Sequence, residues 1–138
     1  IRGIVLHDIL SEVKVPSDLK QAVDFMLMQG TITDDEAEII HPFLTQALES
    51  VKARGWFDEN AEIVYNETSL IDTDGQIYRP DRVVICRGKV MIVDYKFGEH
   101  RRQYERQVKR YADIWRRMGY EDVSGFLWYV DALSVIEV

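Results

Sequence analysis

Two apolar, β-branched runs, Arg82-Val83-Val84-Ile85-Cys86 and Lys89-Val90-Met91-Ile92-Val93, stand on either side of Arg87-Gly88. Strand, turn signal and strand in that order read as a β-hairpin. Residues 83–85 and 90–93 are apolar at every position, so both faces of the pair are expected to be covered, as in the centre of a sheet. With Arg87-Gly88 as a two-residue loop, Cys86 faces Lys89, and counting outward pair by pair sets Asp81 opposite Asp94. A bulge at the glycine would shift that pairing by one.

Side chains directly opposed on a sheet lie about 5 Å apart at Cβ. Two carboxylates that close repel unless positive charge lies between them, and a divalent cation is the simplest source of it. Lys96 follows Asp94 by two and so points to the same side of the strand, while Arg79 is expected to face it across the ladder. The competing reading is a surface hairpin with alternating charges. Apolar faces with ionisable groups only at the strand ends favour a site.

Pro80-Asp81 followed by Asp94-Tyr95-Lys96 resembles the signature of the PD-(D/E)xK nucleases, and the flanking sequence is similar to the RecB and AddA nuclease domains of bacterial helicase-nucleases. Ile1-Arg2-Gly3-Ile4-Val5-Leu6-His7 resembles that family's opening helix, Tyr65-Asn66-Glu67 the segment before its first catalytic Asp, and Tyr104 to Tyr111 its Gln-x-x-x-Tyr helix. Each piece alone is weak, and their shared order is what makes the match specific. The resemblance implies a restriction-endonuclease-like α/β fold and a Mg2+- or Mn2+-dependent exodeoxyribonuclease acting in DNA end processing, recombination and repair. It also implies catalytic Asp81, Asp94 and Lys96, and metal ligands His7, Asp81, Asp94 and the Tyr95 carbonyl. Gln107 and Tyr111, four apart on one helix face, are expected either to contact the substrate backbone or to brace the active-site strand. The implied products carry a 5'-phosphate and a 3'-hydroxyl. The implied partners are DNA ends, attached helicase domains and a second helicase-nuclease subunit. Two alternatives stay open: a non-catalytic nuclease-fold module that binds DNA or a partner, and a free-standing endonuclease.

Some members of that superfamily carry an iron-sulfur cluster on four cysteines. This chain has one cysteine, Cys86, so no such cluster is expected. A single cysteine also favours a reducing compartment, and the expected location is cytoplasmic. No apolar run approaches the length of a membrane helix. At 138 residues, 46% of them hydrophobic, the chain is expected to form one domain with a real core. It starts at Ile1, at or inside a helix, and reads as a fragment of something longer.

The formal net charge of -7 is the wrong sign for a protein that holds DNA by neutralising phosphates. The average conceals a pattern, because Arg101, Arg102, Arg106, Lys109, Arg110, Arg116 and Arg117 share one predicted helix. That helix is either a track for a phosphate backbone or a solvated face.

Periodicity and breakers predict helices over residues 1–13, 17–28 and 33–54, the last opened by a Thr33/Glu36 capping box. Strands are expected over 61–71, 76–86 and 89–96, a helix over 99–118, and strands over 123–130 and 134–138. The sum is an α/β sandwich around a mixed sheet with a helical first half. Glu67 reads slightly better as a strand-surface charge than as a supporting acid. Trp56, Trp115 and Trp128 read as core or edge aromatics, and His41 and His100 have no supporting pattern.

Overall fold

The computed structural model describes residues 2–138, so the part of the opening helix expected at Ile1 lies outside the described residues. The chain divides into two compact units, one ending at Glu59 and the other spanning Asn60–Val138.

The first unit is helical. α1 (Gly3–Ser11) buries Val5, Leu6, Ile9 and Leu10, the i, i+1, i+4, i+5 spacing of one helix face. After a 3-10 turn at Pro16–Asp18, α2 (Leu19–Met28) packs between α1 and α3 (Asp34–Ser50). The capping box forms as expected: Glu36 N–H donates to Thr33 Oγ1 at 3.2 Å and Thr33 N–H to Glu36 Oε1 at 3.0 Å. The third predicted helix ends four residues early and continues as a 3-10 turn, Lys52–Arg54, stopped by Gly55 at φ 79°. Trp56 is fully buried.

The second unit is α/β. Its strands are β1 (Ile63–Asn66), β2 (Leu70–Ile71), β3 (Ile77–Tyr78), β4 (Arg82–Cys86), β5 (Lys89–Lys96), β6 (Asp122–Tyr129) and β7 (Ser134–Glu137), with α4 (Arg102–Arg117) between β5 and β6. Five of them form a mixed sheet in the order β1-β4-β5-β6-β7, in which only β5 and β6 run parallel. The parallel pair is the one joined through a helix, the crossover that parallel strands require. No helix of the described residues is long and apolar enough to cross a membrane.

Two predicted strands break. The segment 61–71 divides at Glu67, whose φ of 53° is left-handed and ends β-pairing. The segment 76–86 divides at Arg79-Pro80-Asp81, because proline has no N–H for a ladder. The short pieces β2 and β3 pair with each other as a separate two-stranded sheet.

The α4 face of the sheet carries alternate residues, as period two demands. Val83 and Ile85 of β4, Val90 and Ile92 of β5 and Val123 of β6 pack with Tyr111, Ala112 and Trp115 of α4. Helix and sheet come close at Gly125, where a Cβ would lie 2.5 Å from Val108 Cγ1. A methyl group fits there only if Val108 gives way. Gly125→Ala is therefore expected to destabilise the chain by about 1–3 kcal/mol, with much of the loss recovered in Gly125→Ala/Val108→Ala. Urea unfolding of the two variants measures this.

Candidate active site

The β4–β5 turn sets the site. Arg87 and Gly88 have φ of 53° and 78°, the two positive values of a type I′ two-residue loop. The resulting register pairs Cys86 with Lys89 and runs without a bulge to Arg82 opposite Val93. One step further, beyond the last ladder pair, stand Asp81 and Asp94.

Both acids are buried, at 9% and 3% exposure, and each carboxylate takes a backbone hydrogen bond from the opposite chain segment. Asp81 N–H donates to Asp94 Oδ1 at 3.1 Å, and Tyr95 N–H to Asp81 Oδ2 at 2.7 Å. Side-chain oxygens thus extend the ladder past the point where Pro80 stops it. The N–H and C=O of a strand residue face the same edge, so the Tyr95 carbonyl faces the acids too.

On β4 the odd residues and on β5 the even ones face α4. Asp81, Asp94 and Lys96 therefore continue the apolar stripe of Val83, Ile85, Val90 and Ile92 past its end. Burial pushes the Asp94 carboxyl up to about 6, helped by the neighbouring Asp81 charge and opposed by Lys96. The Lys96 ammonium lies 3.4 Å from Asp94 Oδ2, donates to Gln107 Oε1 at 3.3 Å and sits 4.3 Å over the Tyr104 ring. One carboxylate, one amide and one aromatic face fix its position.

Gln107 is exposed, whereas Tyr111 is 3% exposed, packed in the core edge-on to Tyr78. Burial holds the Tyr111 hydroxyl protonated, beside the Gln107 side chain and the Arg79 backbone. Its packing is that of a brace for the segment before Asp81. Arg79 does not face Lys96 across a ladder. Its Nε donates to the Glu67 carbonyl at 2.6 Å and its guanidinium lies 3.5 Å from Glu67 Oε2, because the strand has already ended at Pro80.

Three features around the site were read weakly or not at all from the sequence. Glu67 offers a carboxylate oxygen within 4.8 Å of one from Asp81, and its N–H donates to the Asp81 carbonyl at 3.0 Å; the only hint was its place in the Tyr65-Asn66-Glu67 segment. Arg82 is fully buried, donating to Asn66 Oδ1 at 3.0 Å and lying beside the Tyr95 hydroxyl. His100 joins Tyr129 Oη at 2.6 Å to Glu105 Oε2 at 2.9 Å, and Gly98 N–H donates to Asp131 Oδ2 at 3.2 Å. Those contacts pin the connection that leaves β5 at Lys96. The expected imidazole ligand, His7, lies half-buried on α1 of the first unit, 3.5 Å from Asp8 Oδ1.

Glu67 and Asp81 bring carboxylate oxygens within 4.8 Å of each other, close to where the buried Asp94 stands, and this place could hold a metal ion. Only one cysteine is present, Cys86, too few for an iron-sulfur cluster. In comparisons with known proteins, no protein-family profile matches the chain and no curated protein matches it.

With its pKa raised, Asp94 favours the folded state when protonated, a contribution complete below pH 4 and lost as pH rises through about 6. Asparagine mimics the protonated acid. In the absence of divalent cations, Asp94→Asn is expected to be more stable than the parent at pH 8 by up to about 3 kcal/mol. The difference should close towards pH 4, read from urea midpoints at pH 4, 6 and 8.

Proposed function

We propose that this chain is a metal-dependent DNA nuclease domain of restriction-endonuclease-like fold, hydrolysing phosphodiesters in the manner of the RecB-like branch of the PD-(D/E)xK nucleases. The observation that carries the reading is the buried Asp81–Asp94 pair with the Lys96 ammonium 3.4 Å from Asp94, all on one face at the end of a hairpin. A structural hairpin has no use for two desolvated like charges at that point. The same geometry disfavours a binding module without chemistry, which gains nothing from a lysine held by Asp94, Gln107 and Tyr104 together.

Asp81 and Asp94, with Glu67 and the Tyr95 carbonyl, would hold a Mg2+ or Mn2+ ion. Such an ion lowers the pKa of water and takes up charge developing on the phosphoryl group. Lys96 supplies N–H donors for an attacking water or a non-bridging oxygen, and its charge offsets what builds on the phosphorus centre. Gln107 acts through Lys96, holding the ammonium where it meets the scissile group. Burial of Asp94 links activity to pH: the carboxyl must lose its proton to bind a cation, so cation affinity climbs with pH through about 6. DNA ends, attached helicase domains and a second helicase-nuclease subunit are the partners this reading brings with it.

Asp94→Ala and Lys96→Ala are each expected to reduce cleavage of a labelled DNA duplex in Mg2+ or Mn2+ by more than about 100-fold, with unchanged circular dichroism. Undiminished cleavage by either purified variant would sink the assignment. Mn2+ titration calorimetry should show binding lost in Asp81→Asn/Asp94→Asn, and retained affinity there would refute the paired-carboxylate site. An imidazole role for His7 is part of this reading, and the same titration on His7→Ala measures it.

A further inference from the structure

The exposed stripe of α4 lies apart from the contacts that hold Lys96. Arg106, Lys109, Arg110, Arg116 and Arg117 recur at helical spacing, and with Asp72 and Asp113 they line an open groove of about 700 Å³. Five cations stand against three carboxylates, Asp72 and Asp113 in the lining, the latter 3.1 Å from Arg116, and Asp74 beside Arg110, which leaves an excess of positive charge in a chain of net charge -7. Across the groove stands the β2–β3 turn, closed by Gly75 N–H on the Asp72 carbonyl at 2.9 Å. Its acids take up two of the guanidinium groups. Asp74 Oδ2 lies 2.6 Å from Arg110 Nη2, and Asp72 lies 3.0 Å from Arg117. Arg106 and Lys109 are exposed and keep their charge for a ligand.

We propose that this groove is a second nucleic-acid site, which holds the phosphate backbone of DNA away from the cleavage centre, and that Asp72 and Asp74 occupy part of it as carboxylate stand-ins for phosphate. Length selects the ligand. Arg106 to Arg117 covers about 16 Å of helix axis at 1.5 Å per residue, whereas phosphates of one strand recur about every 3.4 Å along a duplex. Several successive phosphates fit that run, and a free phosphate or nucleotide meets only one end of it. Backbone phosphate displaces the two carboxylates from Arg110 and Arg117 and takes their hydrogen bonds, so the acidic turn lowers affinity for DNA and sets a threshold of charge density for entry. That the polyanion is DNA rests on the nuclease reading; the charge and length of the groove stand without it.

The test is fluorescence anisotropy of a labelled 20-base-pair duplex with the full chain in EDTA, repeated over a series of salt concentrations. Arg106→Gln/Lys109→Gln is expected to bind about tenfold more weakly, with a log–log salt slope shallower by about 2. Asp72→Asn/Asp74→Asn keeps the turn's side-chain acceptors and is expected to bind about three- to tenfold more tightly. An unchanged affinity and slope in the cation variant overturns the site, an unchanged affinity in the acid variant overturns the masking, and full displacement of DNA by low-millimolar inorganic phosphate reduces the groove to a small-anion site and overturns it too. Cleavage is assayed separately in Mg2+. A wild type that binds through Arg106 and Lys109 yet cleaves nothing keeps the groove and loses the nuclease, and a wild type that cleaves while its binding ignores those residues does the reverse.

Discussion

Two carboxylates forced together at the end of an apolar hairpin are the constraint around which the second unit is arranged. Their repulsion and desolvation are a standing cost, visible in the Asp94 carboxyl pushed up to about 6. Each surrounding contact offsets part of it. The N–H groups of Asp81 and Tyr95 serve the two acids crosswise, and Lys96 sets a cation beside Asp94. Tyr111 and Arg79 hold the segment that carries Asp81. The cation that the proposed function sets beside these oxygen donors would remove part of that penalty.

The strand pair was legible because it is written in local chemistry. Two unbroken β-branched apolar runs and the Arg-Gly between them are enough to place residues 89–96 as a strand and to pair Cys86 with Lys89, and the register follows from the turn. The breaks at Glu67 and Pro80 were harder to see, since a β-rich composition runs across both. Only the positive φ at one and the missing N–H at the other end the pairing. Glu67 was undervalued for the same reason: read as part of a continuous strand it is a surface charge, whereas at a break it turns towards Asp81. Contacts such as His100 with Tyr129 and Glu105, or Arg82 with Asn66, join residues 5 to 29 positions apart and leave no periodic trace.

α4 divides its labour by angle around its axis. One side, through Val108, Tyr111, Ala112 and Trp115, is committed to the sheet. The edge with Tyr104 and Gln107 holds the Lys96 ammonium, and the outer stripe carries the arginines that meet Asp72 and Asp74. Gly125 fixes the height of the helix above the strands. Because the helix is one rigid body, its depth on β6 is felt both at the lysine and along the charged stripe.

The two-residue turn at Arg87-Gly88 has a wider reach than its size suggests. It lies at the far end of β4 from Asp81, five ladder pairs away, yet it decides whether odd positions on one strand meet even positions on the other. The site is in that sense a matter of parity. Adding one residue to the loop would leave the apolar composition of both strands intact while turning one of the two acids through the sheet to its opposite side. Loop length at a remote, solvent-facing turn is thus as much a part of the chemistry as the carboxylates themselves.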